Sequence, residues 1–515
     1  MVCHDILYTW GMVQDPVAAL PYLRATARGR VPLADTQCTI AVLPRKTTAV
    51  GTKNHSQFSK SHECCGTMRA IFLEAIMRKN TICVLCLGIV TIFSFRLPET
   101  RAQEISKLDR ERALTMLKEI SSDIQKHYYD PNFHGLDWKA TVAKATQEIE
   151  HANSLNMAMA DIAQALVSLN DSHTFLLPPP RPYILNYGFQ YQMIGDHCYI
   201  MRARPATDAE TKGVKPGDEL LAVDGYPPSR ANLWEMRYRF TLLRPELGLR
   251  LTLRDLQGNQ RQVDVAAKVH QTERLRDLTG EGIWDFIRQM EAEEHEQRVR
   301  RKELGDRVTI LKIPAFFFDE SEAYSMIKEA RKRPGLIVDL RGDPGGSIES
   351  LRYLVGGLFD KEIKIADRQG RKKLKPEVSK SIGSHAYRGK LVVLVDSESA
   401  SAAELFARVV QLEKRGIVIG DRTSGSVMEA KHYSYQLGMD TIIPFGASIT
   451  EADLIMSDGK SLEHTGVIPD EVLLPTAADL AAGRDPVLAR AAEMLGARLT
   501  AEEAGKLFPY EWPAE

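Results

Sequence analysis

Gly389-Lys-Leu-Val-Val-Leu-Val-Asp-Ser-Glu-Ser-Ala-Ser-Ala-Ala-Glu404 is the stretch on which the reading of this 515-residue chain turns. Leu391 to Val395 is an unbroken apolar run with the length of a buried strand. Ala402-Ala-Glu-Leu-Phe-Ala-Arg-Val-Val410 behind it has helical spacing. A small-residue turn between such a strand and a helix N-terminus can present the Ser401 hydroxyl while backbone N–H groups and the helix dipole face the charge that develops beside it. A serine nucleophile with an oxyanion hole needs that arrangement. The same residues also fit an ordinary strand-to-helix turn capped by Ser401, so the rest of the chain has to decide.

Around this stretch the pattern is α/β. Val308-Thr-Ile-Leu-Lys-Ile313 reads as a strand, Glu320 to Arg331 as a helix and Gly335-Leu-Ile-Val-Asp-Leu340 as a strand. Arg341-Gly-Asp-Pro-Gly-Gly346 follows as a glycine-rich loop, and Ile417-Val-Ile-Gly420 supplies another strand. Ser401 and the glycine loop then share the carboxyl ends of one sheet, where α/β sites gather. Upstream, Leu108 to Leu169 carries apolar residues at three-and-four spacing, a helical layer ending at Asn170-Asp-Ser-His-Thr174. Tyr187 to Val269 changes to short strands and turns around Gly213-Val-Lys-Pro-Gly-Asp-Glu-Leu-Leu-Ala-Val-Asp-Gly225. That stretch resembles part of the PDZ domains of bacterial periplasmic proteases. The resemblance implies a helix at Ser229 to Leu243, closing strands at Leu249 to Arg254 and Gln262 to Ala266, and capture of a peptide terminus by backbone amides near Gly213, Val214, Gly217 and Asp218.

Composition sets the outer limits. A hydrophobic share of 44%, a charged share of 26% and a formal net charge of -1 describe a globular chain with no electrostatic footprint for nucleic acid. Six of the seven cysteines precede residue 87, leaving Cys198 alone downstream, so the remainder of the chain has no pair for an internal disulfide. Met77-Arg-Lys-Asn80, the apolar Thr81 to Phe95 and Leu97-Pro-Glu-Thr-Arg-Ala102 have the layout of a secretory signal peptide, short for a membrane span. This predicts a secreted or periplasmic protein, with a retained membrane anchor as the alternative. Residues 1–76, upstream of that segment and aperiodic, are expected to be unstructured or to precede the true start.

Four stretches, Asp171-Ser-His-Thr174, Asp339-Leu-Arg-Gly-Asp-Pro-Gly-Gly346, Ser399-Ala-Ser-Ala-Ala-Glu404 and Leu462-Glu-His-Thr-Gly-Val-Ile-Pro-Asp470, together resemble one family. It is the serine peptidases of tail-specific (C-terminal processing) proteases and the tricorn core. The resemblance implies a multidomain α+β protein. Its parts are an N-terminal helical layer at 103–180, a PDZ-like domain at 185–270, a charged helical insertion at 271–306, an α/β, ClpP/crotonase-like catalytic core at 307–475, and a C-terminal helical tail at 476–515. Processing proteases pair the serine with a lysine twenty-five residues later. That position here is Ser426, and no lysine stands between Lys414 and Lys431. The tricorn-like branch uses a Ser-His pair and a glutamate, and Ser172, His173 and Glu463 stand at those places.

The chemistry agrees with that branch. Serine needs an adjacent base, and histidine titrates nearest neutrality. His173 is expected to take the proton of Ser401, with Ser172 and Glu463 orienting the imidazole, and the profile to rise through a pKa of about 6–7. The Ala402 amide and that of Gly345 or Gly346 are expected to hold the oxyanion. The substrate class is peptides or protein tails, without metal or organic cofactor, since HExxH and His-carboxylate clusters are missing. The rivals are a non-catalytic peptide-binding relative, a Ser-Lys enzyme using Lys431, and His464 as base.

Overall fold

The computed structural model describes residues 105–271, 297–438 and 442–512. The expectations for residues 1–76 and for the leader at 77–102 lie outside these, as does most of the expected helical insertion.

Three helices open the described chain: α1 (Lys107–His127), α2 (Trp138–His151) and α3 (Leu155–Val167). Each starts at a side-chain cap, Ser106, Asp137 and Ser154 accepting from the backbone N–H three residues on. On α1 the buried residues Ala113, Met116, Leu117, Ile120 and Ile124 form one stripe, which packs with α2 and α3. After α3 come β1 (Phe175–Leu177) and β2 (Tyr183–Asn186).

The middle of the chain is an antiparallel sheet in simple sequence order: β3 (Phe189–Ile194), β4 (His197–Ala203), β5 (Glu219–Val223), β6 (Gly248–Arg254) and β7 (Gln260–Ala266). A short helix α4 (Asp208–Thr211) follows β4, and α5 (Leu233–Tyr238) crosses between β5 and β6, running on as a π-turn over Arg239–Leu243. Leu249, Leu251 and Leu253 alternate into the core while Gly248 and Arg250 face out, the period-two signature of a half-buried strand. Then β8 (Lys268–Gln271) pairs with β2.

The third part is built on a six-stranded sheet. Its strands are β9 (Arg300–Leu304), β10 (Val308–Lys312), β11 (Gly335–Asp339), β14 (Lys390–Val395), β15 (Ile417–Gly420) and β18 (Glu471–Val472), in the order β18-β15-β14-β11-β10-β9. All pair parallel except β9. Alternate residues of the same strands go to opposite faces. Leu336, Val338, Leu391 and Val393 pack under α6 (Glu320–Ala330), α7 (Ile348–Gly356) and α8 (Ala402–Leu412). Ile337, Val392 and Leu394 pack under α10 (Pro486–Met494) and α11 (Ala501–Ala504), which follow the short α9 (Ala477–Ala482). Both faces being covered explains why these strands read as continuous apolar runs.

A second sheet links the layers: β12 (Ile363–Gly370), β13 (Glu377–Ser379), β16 (Met428–Leu437) and β17 (Ile443–Ile455), with β17 pairing to β1, β12 and β16. Phe445, Ala447 and Ile449 of β17 complete the core of the helical layer. One expectation needs correction here. The described end of the 271–306 insertion is strand, since Arg300–Leu304 pairs antiparallel with β10. Its exposed charges suit an edge strand as well as they suit a solvated helix.

Candidate active site

The loops after β11 and β14 are neighbours because those strands are. They are tied crosswise: Ser399 Oγ donates to the Leu340 carbonyl at 2.9 Å, Gly342 N–H to Asp396 Oδ1 at 2.9 Å, and Ala400 N–H to the Asp343 carbonyl at 2.9 Å. Ser401 stands between β14 and α8 with φ 53° and ψ -116°. That is a left-handed conformation for a residue with a side chain, a strain of about 1–3 kcal/mol that the surroundings must hold. Its N–H is held by the Ser426 carbonyl at 2.9 Å and by Glu404 Oε2 at 3.2 Å.

Gly345 has φ 102°, and a Cβ there would lie 2.6 Å from Ser401 Cβ, so only glycine permits this approach. Its own N–H is taken by Asp343 Oδ1 at 2.8 Å. Among the described residues the amides of Gly346 and Ala402 have no acceptor. Ala402 opens α8, where first-turn N–H groups lack intrahelical partners.

The opposite wall comes from the turn between α3 and β1. Asp171 Oδ1 accepts the N–H groups of His173 (2.9 Å) and Thr174 (2.8 Å) and the Thr450 hydroxyl (2.6 Å), which locks the turn onto β17. Glu463 Oε1 accepts Ser172 N–H at 2.7 Å, and Oε2 accepts the Ser172 hydroxyl at 2.9 Å and Val427 N–H at 2.8 Å. Ser172 Oγ lies 2.7 Å from His173 Nδ1. The single Ser172 proton goes to the carboxylate, so its oxygen accepts from Nδ1–H. This assigns the lone pair of the neutral ring to Nε2, which has no hydrogen-bond partner among the described residues. Burial pulls the imidazole down to about 4; the Asp171 charge opposes this and His432 adds to it. Burial raises Glu463, against the three N–H and O–H donors that lower it.

Ser426 and Val427 bind the two halves together. The Ser426 carbonyl holds Ser401, and the next N–H holds Glu463. No hydrogen bond joins the Ser401 hydroxyl to His173. Below Ser401 sits Glu404, fully buried, a residue that sequence reasoning did not single out. Oε1 accepts Thr423 Oγ1 (2.5 Å) and Gly425 N–H (2.8 Å), and Oε2 accepts Ser426 N–H (2.9 Å) besides Ser401. Burial pushes it up to about 7. A glutamate three residues beyond a helix-capping serine was the available signal.

Other expected residues fall elsewhere. Gly213, Val214, Gly217 and Asp218 do not offer amides to a peptide, because all four N–H groups bond internally, to Glu210, Ala209, Ile200 and Lys215 carbonyls. The Val214 side chain is buried, Asp218 pairs with Arg261 at 2.6 Å, and a Cβ on Gly217 would meet the Ala477 carbonyl at 2.4 Å. That turn is structural. Lys431 is exposed and lies over the Tyr433 ring at 5.3 Å. His464 points its Nε2 at the Asn170 carbonyl, 2.9 Å away.

Comparison with known proteins follows these lines. Residues 307–473 match peptidase family S41 and residues 109–156 match the tricorn protease C1 domain. A tail-specific protease of Haemophilus influenzae is 24% identical over 410 residues, covering 72% of this chain and 55% of that protein. A putative tricorn protease homolog 2 of Streptomyces coelicolor is 24% identical over 406 residues, covering 72% and 31%. The carboxyl-terminal-processing protease of a Picosynechococcus species is 22% identical over 408 residues, covering 76% and 89%. The chain thus spans about half of the first relative, under a third of the second and most of the third. The crystal structure of mature CPAF shares the fold, with a TM-score of 0.55 at 18% identity over 73% of this chain and 94% of that one. The chain carries a domain of peptidase family S41, a serine peptidase family, preceded by a tricorn protease C1 domain. No helix of the described residues is long and apolar enough to cross a membrane.

Proposed function

We propose that this chain is a serine endopeptidase of the tricorn-like type, cleaving peptides or protein C-terminal tails through an acyl-enzyme. The observation that carries the reading is the Glu463–Ser172–His173 relay, which leaves Nε2 as the base. Ser401 Oγ attacks the scissile carbonyl as His173 Nε2 takes its proton. The carbonyl oxygen, now negative, is held by the Gly346 and Ala402 amides, and Gly345 serves as the spacer that brings them close. The imidazolium then protonates the leaving amine. Water, deprotonated by the same nitrogen, releases the acid and restores Ser401. The 77–102 segment supports secretion. A fluorophosphonate probe tests the reading: a label mapped to Ser401 supports it, and a folded chain that stays unlabelled overturns it.

The pH dependence separates this base from an unperturbed histidine. Nε2 is a base only when neutral, and burial lowers His173 from 6.5 to about 4. The acidic limb of kcat/KM is therefore expected well below 6, not at about 6–7 as for an unperturbed histidine, with a flat profile through neutrality. The sign for folding follows the same shift. The unfolded chain takes the proton first, so this group costs stability as pH falls from 6.5 towards 4.

Glu463→Gln is expected to lower kcat by roughly a hundredfold with little change in KM. Either amide orientation sets an NH2 against donors, and the Ser172 proton loses the charge that orients it. Steady-state kinetics read the split; an unchanged kcat would remove Glu463 from the mechanism.

A further inference from the structure

The described chain ends in Leu507-Phe-Pro-Tyr-Glu-Trp512, with an aromatic residue at every second position. Each of the three lies against an arginine from another part of the fold. The Arg300 guanidinium is 5.7 Å from the Phe508 ring centre, Arg202 is 4.3 Å from Tyr510, and Arg204 is 5.8 Å from Trp512. Tyr510 and Trp512 meet edge to face at 5.1 Å. Gln190 donates from Nε2 to the Tyr510 hydroxyl and accepts Arg202 through Oε1 at 3.0 Å, while Arg300 donates to the Pro509 carbonyl at 3.1 Å. The segment therefore runs from beside Arg300 of β9 to Gln190 of β3 and Arg202 of β4.

The receiving surface is shaped by a bulge. Gln190 pairs with Arg202 but Tyr191 pairs with Ile200, so one extra residue of β4 breaks the alternation. Ile200 is fully buried, and without the bulge Arg202, two residues on, would point to the same side. The extra residue re-aims Arg202 and Arg204 outward, which is a common use of a bulge. Arginine fits this role because its planar guanidinium stacks on aromatic faces and still donates hydrogen bonds at its edge. None of these residues takes part in the catalytic relay. Tyr510 remains more than a third exposed, so the segment is held at the surface and is not part of a core.

We propose that Gln190, Arg202 and Arg204 form a docking surface for extended peptide segments with aromatic residues at alternate positions, and that residues 508–512 occupy it in cis. The surface lies on the same β-domain as the Gly213–Asp218 turn but is separate from it, and it recognises ring faces, where a carboxylate-binding turn would recognise a chain end. Tethering gives the chain's own segment an effective concentration of order millimolar, so an outside segment enters only when it is abundant or has better-placed rings.

The test uses a fluorescein-labelled peptide of sequence Phe-Pro-Tyr-Glu-Trp, acetylated or labelled at one end and amidated at the other. It is titrated by anisotropy against the full chain carrying Ser401→Ala, which prevents cleavage and keeps the readout independent of peptidase activity. With Tyr510→Ala/Trp512→Ala added, the peptide is expected to bind at least tenfold more tightly than to the chain with its aromatic residues intact. Adding Arg202→Ala/Arg204→Ala should abolish that gain. Equal binding to both chains, no binding to the Tyr510/Trp512 variant, or tight binding that survives loss of both arginines overturns the proposal. A collapse of the melting temperature on Tyr510→Ala/Trp512→Ala overturns it as well, since the segment would then be a structural strap that no peptide replaces.

Discussion

Ser401→Ala and His173→Ala are each expected to lower kcat by about 10⁴–10⁶-fold, and the double variant to be no slower than either single one. The groups act as a unit: without the hydroxyl there is no proton for Nε2 to take, and without Nε2 the hydroxyl stays un-ionised. Neither substitution removes the backbone anchors of its loop. Ser401 is held through its backbone by Ser426 and Glu404, and the His173 backbone by Asp171. Lys431→Ala in parallel should leave kcat within about twofold, because the lysine stacks on Tyr433 and the slot of a Ser-Lys dyad is filled by Ser426. Single-turnover kinetics on an unstructured peptide decide the matter. A dead Lys431→Ala beside an active His173→Ala would assign the base to the wrong residue.

The second large effect is expected at a residue that touches no substrate. Glu404→Gln keeps the shape of the side chain but replaces one acceptor oxygen by an NH2 donor. All four partners of the native carboxylate are donors; three are backbone N–H groups that cannot reverse their role, and only the Thr423 hydroxyl, which also accepts Val467 N–H at 2.6 Å, could turn to accept. Whichever way the amide turns, its NH2 faces at least one backbone N–H, Gly425 on one side or Ser401 and Ser426 on the other. An unsatisfied buried donor costs about 1–3 kcal/mol, so a fall of several degrees in melting temperature is expected, at about 2–4 °C per kcal/mol. The loop carrying Ser401 and Ser426 loosens with it, and kcat should fall at least about a hundredfold. Calorimetry and kinetics on one preparation read both. Normal turnover in Glu404→Gln would mean that the left-handed Ser401 is held by the rest of the loop alone.

The parallel core was legible because strands covered on both faces appear as apolar runs such as Leu391 to Val395. Ser401, the Ser172-His173 pair and Glu463 could be singled out because each sits in a short motif, and the fold hydrogen-bonds Ser172 to both His173 and Glu463. The roles of Gly213 and its neighbours were misread because a turn of glycines and small residues looks the same whether its amides face a ligand or close on their own chain. Only the carbonyls of Ala209, Glu210, Ile200 and Lys215 tell the difference. The β16–β17 hairpin also escaped notice. Met428-Glu-Ala-Lys-His-Tyr-Ser-Tyr-Gln-Leu437 is half exposed, and its alternation is blurred by polar and aromatic residues on both faces. The low histidine pKa was out of reach for another reason: it is caused by burial, which a sequence does not state.

The contact between Ser172 and Glu463 spans 291 positions along the chain. During synthesis the helical layer leaves the ribosome first, and His173 then has neither its orienting carboxylate nor a serine to activate. At synthesis rates of roughly 5–20 residues per second, Glu463 arrives tens of seconds later, and contacts so distant in sequence form late in folding as well. If the chain is the peptidase proposed above, it is thereby harmless to itself and to its neighbours while it is still unfolded. The order of the motifs along the gene acts as a timer, keeping the site incomplete until nearly the whole chain has been made.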